Sequence, residues 1–404
     1  MYKSWKTDKW WISHYCFEDL ALSRISPPKQ VRIHDLTLRD GDETQGGVFS
    51  IEDKVRMARA LDDLGIRDIE VGLETSPNGP EALKAIATEG LAVNLHTMTF
   101  GFEKVKEKID LLNKWDLYGV SVQFMSNDFF IEKMLKTTRE EILEKVVDTV
   151  TYAKNHGLWV NLFPTDSTRA DWGFLSALYK AGVEAHTDCI TICDSFGVCN
   201  PQGMSYLVRK VKKVVDVPVG VHAHDPYGLG VANALAAYNA GAEIIDTSVN
   251  GIALGGGNPP TEEIAMILRV FYGVDLGLKY EKIYSVCKLI ERISKISLSP
   301  LKPFGGDRIF QMEWGMKINA RKLGEPLAAL SYHPSIVGQK LKLILGKRSD
   351  ITAIEEKMKE IGVSATEKQK GSIPDKVKKL VLEKNRPISD LEFKGIVQKI
   401  ISKL

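Results

Sequence analysis

The sequence predicts a (β/α)8 barrel, the TIM-barrel architecture, followed by a smaller, mostly helical C-terminal appendage. Three observations predict it. Between residues 31 and 275, short β-rich runs alternate eight times with amphipathic segments of helical period. Strands separated by helices imply parallel βαβ units, and eight of them in about 245 residues match a closed barrel. An open doubly wound sheet usually carries a glycine-rich phosphate turn after its first strand. Here that strand ends Leu38-Arg39-Asp40-Gly41, without G-x-G-x-x-G.

The strand runs are VRIHDLTLRD (31–40), RDIEVGL (67–73), AVNLHTMTF (92–100), YGVSVQFM (118–125), WVNLFPTD (159–166), DCITICDS (188–195), VPVGVHAHD (217–225) and EIIDTSVNGI (243–252). Each is followed by a helical pattern. In residues 51–65 the apolar positions Ile51, Val55, Ala58 and Leu61 form one face. Gly65, Gly90, Gly157, Gly182 and Gly241 stand where helix C-caps are expected. Residues 1–30 read as an N-terminal extension, in which Trp5, Trp10 and Trp11 predict a packing arm against the barrel or a neighbouring subunit. After 275 the period changes. Residues 276–345 read as helices interrupted by a Pro/Gly segment, and 346–404 as a small helical subdomain. Its last helix opens with Ser389 and Glu392 at capping-box spacing.

A net charge of +2, with 26% charged residues, gives no electrostatic reason to expect nucleic acid or a membrane surface as partner. No apolar run approaches the roughly 20 residues that span a bilayer. Five cysteines, an odd number without a C-x-x-C pair, predict reduced thiols and a cytoplasmic protein. Cys189, Cys193 and Cys199 have no histidine at zinc-finger spacing and read as core residues.

Chemistry in such a barrel collects at the C-terminal ends of the strands. The polar residues expected there are Arg39 and Asp40, Glu70 or Glu74, His96 and Thr97, Gln123 and Ser126, Asp166, Thr168 and Arg169, Asp194 and Ser195, His222 and His224, and Asn250. His222 and His224 lie two apart on strand 7 and point the same way. Strands 1 and 7 are both odd-numbered, so Asp40 can share their layer as a third ligand. Two imidazoles and one carboxylate suit a catalytic divalent cation with open positions, and Asn258 in the loop after strand 8 adds a further oxygen. That loop, GIALGGGNPPTEEIAMIL, runs into a helix starting near Thr261. Its glycines, Gly256 among them, either cradle a substrate carboxylate or phosphate or only permit a tight turn beside the metal.

HDLTLRDGDETQGG at strand 1, DSFG at 194–197, HAHD at 222–225 and the glycine run ending at Asn258 together resemble the DRE-TIM metallolyase superfamily. That group includes isopropylmalate, homocitrate and citramalate synthases, hydroxymethylglutaryl-CoA lyase and hydroxy-oxovalerate aldolase. The tail HPSIVGQKLKLILGKRSDITAIEEKMKEIG resembles the subdomain that follows the barrel in the synthases. The resemblance implies that Asp40, His222 and His224 bind a divalent metal (Zn, Mn, Mg or Co) and that Arg39 stabilises a ketone or enolate oxygen. It also implies an acyl-CoA and a 2-oxo acid as substrates, and a homodimer paired through the region after the barrel.

Several positions depart from the synthase pattern. Thr165, in FPTDSTRAD, stands where the synthases carry a catalytic glutamate. MEWGMK keeps Glu313 and Gly315 of a segment that reaches a neighbouring active site, but places Met312 and Lys317 at its histidine positions. The lyase cysteine is absent from ALGGGN, and Glu43 occupies the place of an aldolase histidine. Glu43, Asp166, His96 and Lys317 remain as acid–base candidates, Glu43 first because it follows the ligand-bearing strand directly. His96, Gln123, Thr165, Asp166, Arg169 and Gly256 are the expected substrate contacts, with Phe163 and Tyr227 shaping the pocket. The activity implied is a Claisen-type condensation. The alternative is a lyase or aldolase working the same bond in reverse.

Overall fold

The computed structural model describes residues 5–402. Eight parallel strands close into a barrel in sequence order: β1 (Arg32–Leu38), β2 (Asp68–Val71), β3 (Asn94–Phe100), β4 (Gly119–Met125), β5 (Trp159–Thr165), β6 (Cys189–Asp194), β7 (Val219–Ala223) and β8 (Ile244–Thr247). The closing pair is β1 with β8, in which His34 stands opposite Asp246. The predicted architecture is the one observed, and all eight strands fall inside the runs marked in the sequence.

The two faces of these strands differ in chemistry. Ile69, Val71, Val120, Val122, Val160, Leu162, Ile190, Ile192, Val221 and Ile245 alternate with polar neighbours and are at most 1% exposed. They meet the buried stripes of the surrounding helices, such as Met57, Ala58 and Leu61 of Ile51–Leu64. This outer layer is the hydrophobic core. The alternate residues turn inward, and many are polar: Asp68, Glu70, His96, Ser121, Asn161, Thr191, His222 and Asp246. They form a hydrogen-bonded belt in which Ser121 Oγ donates to Glu70 Oε2 at 2.7 Å and Thr191 Oγ1 donates to Asn161 Oδ1 at 2.9 Å.

Gly65 closes its helix with φ +101, as expected of a left-handed cap. Gly182 does not. It lies inside Trp172–Glu184, where a Cβ would come within 2.5 Å of Leu162 Cδ2, so this glycine lets the helix approach β5. The left-handed residue after that helix is His186, with φ +69.

Compactness divides the chain into Cys16–Leu298 and a second unit of Met1–Tyr15 with Ser299–Leu404. Residues 16–30 and 276–298 therefore lie in the same unit as the barrel, including the helix Ile283–Ser294. In the second unit, Gln311–Met312 pairs in parallel with Lys342–Leu343. Four longer helices and one short one surround Ile318, Leu345, Ile354, Val377, Phe393 and Val397. The expected capping box of Ser389 and Glu392 is present. The tryptophan arm packs within this unit: Trp10 pairs antiparallel with Tyr332, and Trp11 N donates to Ser331 O at 3.2 Å. Within this unit, backbone pairing holds the segment. Among the described residues no helix is long and apolar enough to cross a membrane.

Candidate active site and metal centre

Strand β1 ends at Leu38, and the chain turns through Arg39 and Asp40 into a 3-10 turn, Gly41–Glu43. Strand β7 carries His222 and delivers His224 just past its end. The two elements bring Asp40, His222 and His224 together, all buried, with ligating atoms within 4.8 Å of one another. Nε2 of His222 stands 3.2 Å from Nε2 of His224, and Asp40 Oδ2 lies 3.6 and 3.8 Å from the two nitrogens. Donors held about 2.0–2.2 Å from one cation stand roughly 2.8–3.6 Å apart at octahedral to tetrahedral angles; the 3.2 and 3.6 Å separations fall in that range and the 3.8 Å one lies just beyond it, so a small closure of Asp40 on His224 suits a single ion.

The electrostatics suit ligation. Burial works against an ionised Asp40, but Arg39, His224, His222 and the amide of Asn258 outweigh it and hold the carboxyl below its usual range. Burial and the neighbouring His222 bring the His224 imidazole down to about 4, which keeps it neutral at pH 7. Burial disfavours the Arg39 cation, yet Asp40, Glu70 and Glu43 keep it charged. Arg39 Nε donates to Glu70 Oε1 at 2.6 Å, and its Nη1 lies 3.5 Å from Asp40 Oδ2 and 3.8 Å from Glu43 Oε1. Burial pushes the Glu43 carboxyl up to about 7, against the pull of Arg39. Arg39 Nη2, Glu43 Oε1, Thr44 Oγ1, Thr165 Oγ1 and Asn258 Oδ1 are buried with no hydrogen-bond partner among the described residues. These orphaned groups suit an oxygen-rich ligand between them.

Asn258 donates Nδ2 to Asp40 Oδ2 at 2.8 Å. The loop before it is pressed against β7. Gly256 has φ +96, and a Cβ there would come within 2.8 Å of Pro226 Cα; Asp225 N donates to Gly257 O at 2.9 Å. The glycines therefore permit a tight turn that seats Asn258 on Asp40. The following helix, Thr261–Tyr272, carries Glu262 and Glu263 in its first turn, and Glu262 Oε2 accepts from Asn250 N at 3.0 Å. An acidic first turn disfavours an anion there.

Other expected residues are placed as follows. Gln123 is half-buried on β4, opposite Phe100 and Phe163. Phe163 lies edge-on to His222 at 5.2 Å between ring centroids and forms a small apolar floor with Met98 and Cys193. Asp166, with φ +65, is gripped by Arg169, whose Nε and Nη2 donate to both carboxylate oxygens at 2.9–3.1 Å. Asp166 is thus occupied as an ion-pair partner, in place of the free acid–base group expected. Tyr227 is 73% exposed. Lys317 is half-buried in Gly315–Lys322, in the second unit. There Glu313 accepts from Arg348 N, in the loop before residue 350.

His96 is the main correction. Thr97–Phe100 follow it on β3, so it stands low in the barrel and away from the site end. Its Nε2 donates to Asp68 Oδ1 at 3.1 Å, its ring packs on His34 at 5.0 Å, and Gly119 leaves it room. It is a member of the interior belt.

Two groups escaped the sequence reading. Lys54, fully buried, donates to Asp42 Oδ2, Ser76 Oγ and Asn78 Oδ1 at 2.6–2.8 Å, tying the loop of Arg39, Asp40 and Glu43 to the loop after β2. A lysine in the first turn of an amphipathic helix, twelve residues after Asp42, gives no sequence signal of burial. Asp246 joins His222 to His34 inside the barrel. Its signal is alternation on β8, which turns it inward, though not at the strand end where sites were sought.

The HMGL-like family model matches residues 30–290. Homocitrate synthase AksA of Methanopyrus kandleri is 35% identical over 382 residues, 94% of this chain and 95% of that protein. The 2-isopropylmalate synthase of Methanocaldococcus jannaschii is 35% identical over 393 residues, 95% of this chain and 74% of its own. (R)-citramalate synthase CimA of the same organism is 33% identical over 379 residues, 93% and 75% respectively. Among solved structures, hydroxymethylglutaryl-CoA lyase from Pseudomonas aeruginosa matches with a TM-score of 0.60 at 19% identity, over 67% of this chain and 95% of its own, a likeness of fold. On the strength of the family match and of relatives aligned along nearly its whole length, the chain belongs to the HMGL-like family.

Proposed function

We propose that this chain is a divalent-metal-dependent acyltransferase that condenses an acyl-CoA, acetyl-CoA first among them, with a 2-oxo acid to give a malate-type product. The observation that carries the reading is the convergence of Asp40, His222 and His224 beside a charged Arg39, in a chain aligned with homocitrate, isopropylmalate and citramalate synthases. Carbon–carbon bond formation beside a carbonyl builds negative charge on oxygen. Asp40, His222 and His224, with Oδ1 of Asn258 beside them, would hold a divalent ion, which when bound would supply Lewis-acid polarisation of the oxo acid. Arg39, held through Nε by Glu70, keeps Nη2 free for the developing oxyanion.

Thr165 and Gln123 bind the oxo acid above the Phe163 floor, and Arg169 lies at the outer rim, 4.3 Å from the Phe196 ring. Glu43 is the proton acceptor nearest the reacting centre, because its unpartnered Oε1 lies beside Arg39. Lys317 replaces a synthase histidine and serves in trans across a homodimer formed through the region after the barrel. The working compartment is the cytoplasm, in keeping with free thiols at all five cysteines. Thr165, at a glutamate position of the synthases, favours a second reading, a lyase or aldolase acting on the same type of bond.

The test is thiol release by metal-loaded protein from acetyl-CoA with a panel of 2-oxo acids, with Asp40→Ala as the blank. Release that depends on the oxo acid and disappears in the variant is expected, and it names the acceptor. Silence across the panel, together with cleavage of a hydroxyacyl-CoA or hydroxy-oxo acid, transfers the assignment to the lyase reading. Sedimentation at working concentration tests the dimer.

A further inference from the structure

Three side chains face the metal position, and a fourth group behind them holds one in place. Asp246 lies on β8, in register with His34 of β1. Its two oxygens are divided between two imidazoles: Oδ1 accepts from Nδ1 of His34 and Oδ2 from Nδ1 of His222, each at 3.1 Å. His34, His222 and Asp246 are 4%, 2% and 1% exposed, so water does not substitute for either bond. An imidazole that donates from Nδ1 presents Nε2 as a bare lone pair. Nε2 of His222 is the atom that faces His224 and Asp40.

His34 closes the arrangement from the other side. By occupying Oδ1 it keeps the Asp246 carboxylate from rotating off His222. Its own Nε2 lies 4.0 Å from Oε2 of Glu70, the carboxylate that holds Arg39. His224 is backed by the backbone of Leu254, and among the described residues no carboxylate hydrogen-bonds its buried Nδ1.

We infer that Asp246, clamped by His34, is the positioning residue of the metal centre, fixing His222 in the tautomer and ring orientation that ligation requires. The inference rests on the reading of Asp40, His222 and His224 as a metal site. A carboxylate on the far nitrogen of a ligand histidine sharpens both its direction and its donor strength, and its loss weakens metal binding about 10–100-fold. Asp246→Asn has one acceptor oxygen for two donors, so one histidine is released. His34→Gln leaves the carboxylate on His222 but unclamped.

The experiment is Co2+ titration of the full-length chain, followed by visible absorption and by competition with a chelator of known affinity. Thermal unfolding of the metal-free proteins runs alongside. The expected result is a loss of about 10–100-fold in Co2+ affinity for Asp246→Asn, with a shifted absorption band. His34→Gln is expected to lose less, and the double variant no more than Asp246→Asn, because His34 acts through Asp246. Unchanged affinity and spectrum in a folded Asp246→Asn overturn the inference. If that variant does not fold, an unchanged affinity and spectrum in His34→Gln overturn it. A wild-type chain that takes up no Co2+ overturns the metal reading itself, a separate outcome.

Discussion

Replacing Glu70 with glutamine isolates what a buried carboxylate does for Arg39. The Arg39–Glu70 contact is 2.6 Å long between side chains 5% and 0% exposed. Glutamine keeps the shape: its oxygen accepts from Arg39 Nε, and its amide nitrogen meets Ser121 Oγ, the second partner of Glu70. Only the charge is lost. A hydrogen bond to a charged group contributes about 1.5–3 kcal/mol and a neutral one about 0.5–1.5, so the guanidinium loses about 1–1.5 kcal/mol of positioning. That converts to about a tenfold fall in kcat, with the KM for acyl-CoA and the bound metal unchanged. Arg39→Lys, which removes the fork itself, is expected to cost about 10²–10³-fold. The decisive measurement is initial-rate thiol release by both variants and the double variant. If Glu70 acts through Arg39, the double variant is no slower than Arg39→Lys alone. Losses that multiply would refute this.

Four further variants have expected outcomes. Gly256→Ala combines a positive φ with a Cβ 2.8 Å from Pro226 Cα, and loses about 1–3 kcal/mol along with metal affinity. Gly90→Ala, with φ +69 and open space around it, loses about 1 kcal/mol and leaves metal affinity unchanged; equal effects in thermal unfolding and metal titration would contradict this. Lys54→Met leaves the buried Asp42 carboxylate with the Thr75 and Ser76 hydroxyls but no countercharge and costs about 3 kcal/mol in urea unfolding, and a variant as stable as wild type would show the pair to be dispensable. Burial opposes ionisation of Asp68, but bonds from His96 and Asn94 bring its carboxyl down to about 2. Because this folded-state value lies below the unfolded one of about 3.9, the contribution is complete well above pH 4 and fades as pH falls toward 2. Asp68→Asn is therefore expected to be about 1–2 kcal/mol less stable at pH 7, with a gap that narrows in acid-unfolding curves below pH 4. A gap independent of pH would disprove it.

The barrel was legible because its signal is repetitive. Eight β-rich runs, each with a helix of the right period, leave little freedom in topology. The cluster of Asp40, His222 and His224 was legible for a different reason: the three sit at or just past strand ends, where the polar residues of such a barrel collect. Height along the barrel was not legible. Alternation assigns His96 to the inner face, but its level depends on how the closed strands are staggered, and that places it beside Asp68 and His34. Gly182 was misread because a glycine that admits a neighbouring strand looks the same in sequence as one that ends a helix. Asp246 and Lys54 lie in segments whose local pattern is satisfied without them, and only partners far along the chain give them meaning.

The division of the strands into an apolar outer face and a polar inner one separates two kinds of selection. Cohesion of the molecule resides in the cylinder between sheet and helices, where Val120, Leu162 and Ile192 are sealed. The axis is a corridor of exchangeable polar positions supported from outside. A substitution along that corridor alters local charge and hydrogen bonding but leaves the surrounding cylinder intact. Thr165 and Glu43 line that corridor beside Arg39, Asp40 and the two histidines, so a change at either leaves the cylinder that holds the others in place. New chemistry in such a molecule is a rewiring of its interior, carried out inside an unchanged wall.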